Sequence, residues 1–150
     1  MKALAKLKDI KGWRLVLLFL ACAVLALAVL LIPFLVRGNH LIWAEQAGDG
    51  ATQHLTFLAY LREVGWLKAV GAYDFSFGLG ADFLTSMGFM SLFDPFNVFI
   101  FILPFDIVWV YDVIILLKFV AAGGAMLVYL RRRGVRGGYA LGCALGYMLC

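Results

Sequence analysis

Long apolar runs and short polar segments alternate along this chain. The first run, Leu15–Val36, contains 22 uncharged residues, and as a helix it would extend about 33 Å, enough to cross the hydrocarbon core of a bilayer. A second run over 105–130 is long enough to cross back, and a third begins at 139 and continues to 150. The pattern therefore predicts transmembrane helices over 15–36 and 105–130 and the start of a third over 139–150.

The segment between the two spans, 37–104, is mixed in polarity and is predicted to carry helices that lie along the membrane interface. Asp49 and Gly50 offer a helix start, and the helix is expected to end near Gly65, with Trp66 as an interfacial aromatic. Its apolar face is formed by residues at helical spacing, namely Leu55, Phe57, Leu58, Leu61 and Val64.

Beyond this helix, the segment 71–95 is rich in glycine and phenylalanine, which predicts an irregular backbone packed by aromatic rings. Asp94 and Pro95 form a turn signal. Residues 96–103 are predicted to form a short re-entrant or interfacial segment, because Pro104 prevents the helix from continuing.

Composition supports a membrane protein and argues against a soluble domain. Hydrophobic residues make up 65% of the chain and charged residues only 15%, too little polar surface for a soluble fold. The net charge of +4 comes from basic residues grouped at 2–14 and 131–136, whereas acidic residues dominate 37–106. By the positive-inside rule, 1–14 and 131–138 are cytoplasmic and 37–104 is outside, so no nucleic-acid partner is expected.

The three cysteines do not form a metal or disulfide motif. Cys22, Cys143 and Cys150 all lie in apolar runs, and none has CxxC spacing. We expect them to be small apolar core residues.

Candidate chemistry concentrates in the polar stretch 43–54. Asp49 is the main candidate: its carboxylate either acts as a general base, or holds a divalent metal such as Mg or Mn together with Glu45, or only caps the following helix. Glu45, Gln53 and His54 are candidate substrate-binding residues. His54 and His40 either bind a phosphate or metal or are simply amphipathic interfacial residues.

The predicted second span contains charged residues that are costly to place in lipid. Lys118 falls near mid-span and is expected to face protein or a water-filled cavity, where it either neutralises a lipid-linked phosphate or pairs with a carboxylate of another helix. Asp112 lies about 9 Å from Lys118 along the helix axis, so the two need not pair. Gly123 and Gly124 allow close helix packing. Three cations of the middle segment are expected to snorkel at the interface, namely Arg37, Arg62 and Lys68.

Four short strings carry a family resemblance: Gly-Asn-His-Leu-Ile-Trp at 38–43, Gly-Asp-Gly-Ala-Thr-Gln-His at 48–54, Tyr-Asp-Phe-Ser-Phe-Gly-Leu-Gly at 73–80, and Asp-Pro-Phe-Asn at 94–97. In this order the chain resembles the N-terminal region of the bacterial YfhO-like membrane proteins, which look like GT-C glycosyltransferases. The resemblance covers nearly the whole chain, but only about the first fifth of such a protein.

The resemblance implies an all-α, polytopic GT-C-like fold with a juxtamembrane helix on the outer face. It also implies transfer of a sugar from a polyprenyl-phosphate carrier to an envelope polymer such as teichoic acid, with Asp49 at the position of the acidic residue in the first outer loop. On this view the chain is an N-terminal part that does not catalyse alone.

Two other classes of function remain open from the residues. A lipid or solute transporter or flippase would use Lys118, Asp112 and the glycine-rich outer segment as a substrate path. A small membrane scaffold would assemble through its glycines.

Overall fold

Helices account for nearly all of the regular structure. The computed structural model describes residues 12–41, 49–71, 73–75, 80–86 and 92–150. The elements in order are α1 (Gly12–Val36), a π-helical segment (Gly50–His54), α2 (Leu55–Val64), α3 (Trp66–Gly71), β1 (Tyr73–Asp74), β2 (Ala81–Asp82), a 3₁₀ helix (Pro95–Val98), α4 (Phe99–Ile102), α5 (Ile107–Arg132) and α6 (Gly137–Met148). The two strands pair antiparallel, with Tyr73 opposite Asp82. The predicted all-α class is confirmed.

Within the described ranges, two helices are long and apolar enough to cross a membrane, Gly12–Phe34 within α1 and Ile107–Arg132. Much of their apolar surface faces outward: Val24, Leu25 and Val29 of α1 are all more than half exposed. Such a surface suits hydrocarbon and not water. The outside location of 37–104 and the cytoplasmic location of the N-terminus stay predictions.

The chain divides into two compact units. The first unit comprises Met1–Arg37 and Ile115–Cys150. In it, α1 buries a stripe of residues four apart, which lie on one helix face. This stripe packs in a common core with Leu127 of α5 and with α6. The core residues of α1 and α6 are Leu15, Phe19, Ala23, Leu27, Ala140, Leu141, Ala144 and Met148.

Gly123 lies where α5 packs closely against its neighbours in this unit. A Cβ placed there would lie 2.8 Å from Met148 Cβ, 2.8 Å from Phe19 Cζ and 3.1 Å from the Ala144 carbonyl oxygen. Carbon atoms normally approach to about 3.5 Å or more. The glycine therefore lets α5 approach α1 and α6 as closely as it does, which agrees with the role expected for Gly123. Gly124 makes only an ordinary contact, 3.8 Å from Phe19 Cε1.

The second unit is Gly38–Ile114. Its core includes Leu58 and Leu61 of α2, at the spacing that the sequence pattern predicts, and fully buried Phe83. Helix α2 ends at Gly65, whose φ of +84° favours glycine and whose N–H donates to the Leu61 carbonyl at 2.9 Å. The unit therefore forms around the predicted amphipathic helix.

The turn at Asp94 and Pro95 is present as predicted. Asp94 Oδ1 accepts a hydrogen bond from Phe96 N at 3.0 Å, so Asp94 caps the 3₁₀ helix that leads into α4. The helix stops before Pro104, and α5 begins at Ile107. Asp106 Oδ1 accepts from Val108 N at 2.9 Å and so starts α5 two residues later than the sequence pattern predicts.

The expectation that all three cysteines are core residues is wrong for two of them. Cys22 is half-buried, whereas Cys143 and Cys150 are exposed. Both lie on or just after α6, at positions that the core-facing stripe of Ala140, Ala144 and Met148 does not include. Apolar character alone does not show which side of a membrane helix faces protein.

Candidate functional site

Asp49 lies directly before the π-helical segment, and its side chain is exposed. Its backbone is already helical (φ −56°, ψ −27°), and the carboxylate makes no capping bond to the backbone. Oδ1 instead accepts a hydrogen bond from Gln53 Nε2 at 3.2 Å. The alternative that Asp49 is a side-chain cap is therefore wrong, because a residue with helical dihedrals directs its side chain along the helix face.

The structure brings Gln53 to Asp49, and Gly50, the residue after Asp49, lies against α5. Gln53 lies four residues after Asp49, one turn further along the same face. A Cβ on Gly50 would lie 3.6 Å from the Tyr111 hydroxyl, so the start of the segment lies against α5. Among the described residues, Gln53 is the hydrogen-bond partner of the carboxylate. The arrangement presents an oxygen that is able to accept a proton or contact a cation.

The other residues of the polar stretch take different positions. His54 is half-buried at the end of the π-helical segment. Glu45 lies outside the described residues, so the pairing of Glu45 and Asp49 around a metal stays a prediction. Within the part of the chain that the structure describes, no three His, Cys, Asp or Glu side chains gather in a way that could hold a metal ion.

A second polar cluster joins His40 to Asp112, a pair that the sequence analysis did not predict. His40 Nδ1 lies 2.7 Å from Asp112 Oδ2, and Leu41 N donates to Asp112 Oδ1 at 3.0 Å. The two side chains are 29% and 13% exposed, and the edge of the His40 ring meets Trp109 with centroids 4.5 Å apart. An ionised carboxylate only accepts, so the contact in that state requires the proton on Nδ1.

The signal for this pair was the cost of an isolated carboxylate in an apolar helix. Asp112 lies in the second turn of α5, where lipid offers no hydrogen bond. The two bonds from residues 40 and 41 satisfy both oxygens and fix the chain after α1 to α5. Spacing along the chain could not reveal this contact, because 72 positions separate the partners.

Tyr60 and Asp74 form a third contact, between α2 and β1. The Tyr60 hydroxyl donates to Asp74 Oδ2 at 2.5 Å. Burial first, then the hydrogen bond to Asp74 and the negative charges of Asp74 and Glu63, raise the pKa of Tyr60 to about 12. Loss of the proton would leave two anions in contact, so the phenol acts here as a hydrogen-bond donor.

Lys118 is exposed on α5 and lines a cleft of about 460 Å³ in the first unit. Its neighbours there are mostly apolar and include Phe119, Tyr147 and Met148. A cation beside an open, apolar cleft fits the expectation that Lys118 faces a cavity. Its assignment to a lipid-linked phosphate stays a prediction.

Arg62 makes two specific hydrogen bonds that the sequence pattern does not predict, and its expected position at the interface stays a prediction. Its Nη1 donates to the Phe105 carbonyl at 2.7 Å and its Nη2 to the Leu103 carbonyl at 3.0 Å. These carbonyls flank Pro104, where the backbone cannot continue as a helix. The guanidinium fork therefore fixes the end of α2 to the turn that precedes α5.

Fold and site together define a helical membrane protein with an acidic polar segment between two apolar helices. Comparison with known families identifies the family: the one described as "Bacterial membrane protein YfhO" matches residues 17–150. The chain belongs to this family, as the resemblance at 38–54 and 94–97 indicates. No match was found among curated proteins or among solved structures.

Proposed function

We propose that this chain is part of a membrane glycosyltransferase that moves a sugar from a polyprenyl-phosphate carrier to an envelope acceptor, such as teichoic acid, on the outer face of the membrane. Membership in the YfhO family supports the proposal. The observation on which it depends is the exposed Asp49 carboxylate, which accepts a hydrogen bond from Gln53.

In this proposal, the carboxylate of Asp49 accepts the proton of the acceptor hydroxyl. The acceptor oxygen forms a bond to the anomeric carbon of the donor sugar as the bond from that carbon to the phosphate oxygen breaks. The polyprenyl phosphate leaves with the electron pair. Gln53 donates to one carboxylate oxygen and so orients Asp49, which makes Gln53 a positioning residue.

A divalent metal would supply charge neutralisation for the phosphate. The exposed carboxylate of Asp49 would be one ligand of this metal, and Glu45 is the proposed second ligand. The acid–base role of Asp49 does not require the metal, since proton transfer to a positioned carboxylate is sufficient.

The test is sugar transfer by the complete protein in membranes supplied with polyprenyl-phosphate sugars. Asp49→Asn removes the proton acceptor and keeps the size, so we expect insertion into the membrane to persist and transfer to be lost. Removing a general base typically lowers the rate by about 10²–10⁴-fold. The matched control is Asp106→Asn, because Asp106 is an exposed carboxylate that caps α5 and asparagine also caps well.

Full activity of Asp49→Asn would remove Asp49 from the mechanism. Equal loss in Asp106→Asn would show that the charge of the outer segment matters and not the position of Asp49.

The transporter alternative depends on Lys118, whose exposed position beside a cleft is the observation in its favour. The carboxylate of Asp112 is already engaged by His40 and Leu41. If the alternative holds, Lys118→Ala blocks lipid or solute movement in a protein that makes no glycosyl product.

A further inference from the structure

The second unit contains an open apolar groove between α3 and the segment that forms the 3₁₀ helix and α4. Its volume is about 640 Å³, within the range of roughly 300–1,000 Å³ common for binding sites of small organic molecules. Three aromatic residues on its walls are strongly exposed: Trp66 at 51%, Phe93 at 74% and Phe101 at 44%. Exposed aromatic groups gathered around one groove indicate a surface that another apolar molecule covers.

The groove is held beside the point where α5 begins. Arg62 fixes the end of α2 to the carbonyls of Leu103 and Phe105, and α3 follows directly from Trp66. On the other wall, Phe101 precedes Ile107, the first residue of α5, by six positions, a reach of at most about 20 Å. Because α5 is apolar enough to cross a membrane, the short connection to α5 keeps the groove close to the hydrocarbon of the bilayer.

The rim of the groove has the chemistry of a membrane interface. Trp66 and Lys68 lie on the same short helix, α3, and both line the groove. Tryptophan is enriched at the level of lipid headgroups, and lysine extends its ammonium toward phosphate while its stem stays against apolar surface. Asp94 lines the groove as well, so the described residues of the rim include one cation and one anion.

We propose that this groove binds a hydrocarbon chain of a membrane phospholipid, with Lys68 at the level of the headgroup and the Trp66 ring against the bound chain. The balanced rim predicts no preference between zwitterionic and anionic lipids. The inference is independent of the proposed sugar transfer, since it concerns a lipid of the surrounding bilayer and a groove that does not include Asp49.

The test uses Trp66 as the reporter in the complete protein, after every other tryptophan is replaced by Phe, including Trp13, Trp43 and Trp109. The protein is reconstituted in phosphatidylcholine with or without bromine on the acyl chains, which quenches tryptophan on contact. We expect the emission of Trp66 to be lost with the brominated lipid. The matched control is Glu63→Trp with Trp66→Phe, because Glu63 is exposed on α2 and does not line the groove.

A second measurement separates a bound chain from general contact with the bilayer. In detergent micelles with brominated lipid as a minor component, quenching of Trp66 should persist, and Val98→Phe, which narrows the groove, should abolish it. Unquenched Trp66, equal quenching of the Glu63→Trp control, or unchanged quenching in Val98→Phe would each overturn the proposal.

Discussion

Gly123 offers a sharp test of the helix packing, because the next residue provides its own control. Alanine at 123 would place a methyl group 2.8 Å from Met148 Cβ, 2.8 Å from Phe19 Cζ and 3.1 Å from the Ala144 carbonyl. The phenyl ring is able to turn away, but a Cβ and a carbonyl move only with α6. At Gly124, the nearest atom would be Phe19 Cε1 at 3.8 Å, an ordinary contact.

The two substitutions share the same gain in helix propensity and differ in strain. Replacing a helical glycine by alanine stabilises by about 1 kcal/mol, whereas overpacking a tight contact costs about 1–3 kcal/mol. Because two contacts lie at 2.8 Å, we place the overpacking cost of Gly123→Ala at the upper end of this range. The free energy of unfolding then falls by about 2 kcal/mol after the gain in helix propensity is included. Gly124→Ala should gain up to about 1 kcal/mol. The variants then differ by about 3 kcal/mol, or roughly 100-fold in the unfolding equilibrium.

The assay is unfolding in mild detergent micelles titrated with dodecyl sulfate, followed by tryptophan fluorescence. Relieving the Phe19 contact with Phe19→Leu should recover only part of the loss in Gly123→Ala, because the contacts to Met148 and Ala144 remain. The packing argument is refuted if Gly123→Ala is as stable as Gly124→Ala.

Two further predictions concern the polar contacts of the second unit. Asp112→Ala removes the acceptor for both His40 and Leu41 N. Because the His40 and Asp112 side chains are each less than one-third exposed, we expect the free energy of unfolding in the same assay to fall by about 3 kcal/mol. Asp112→Asn keeps one acceptor oxygen and should lose about half as much; equal stability of all three proteins would contradict the contact. For Tyr60, titration of the tyrosinate absorbance should give a pKa near 12, and Asp74→Asn should lower it toward, but not to, 10.0, because burial is the larger cause. Since the folded state holds this proton more tightly, the associated stability is fully present below pH 10.0 and is lost as the pH rises toward about 12; a midpoint unchanged by Asp74→Asn would argue against the hydrogen bond.

The sequence by itself determined the features that depend on local spacing and on solvent preference. The uncharged run 15–36 is expected to form a helix in lipid, because a helix pairs its own backbone N–H and C=O groups where no water is present. The buried positions Leu58 and Leu61 and the cap at Asp94 also follow from local rules of helix period and turn chemistry.

Only the tertiary structure decided which distant groups meet. Asp112 needed a partner in an apolar helix, but its identity as His40 depends on how the chain returns after α1. The position of Arg62 in the sequence is typical of an interfacial cation, but its guanidinium group donates to two carbonyls more than forty positions away. At Asp49 the residue type allowed a cap or an exposed carboxylate, and the backbone dihedrals selected the second. Hydrophobic period fixes which face of an element is buried, whereas long-range hydrogen bonds depend on geometry that no local pattern encodes.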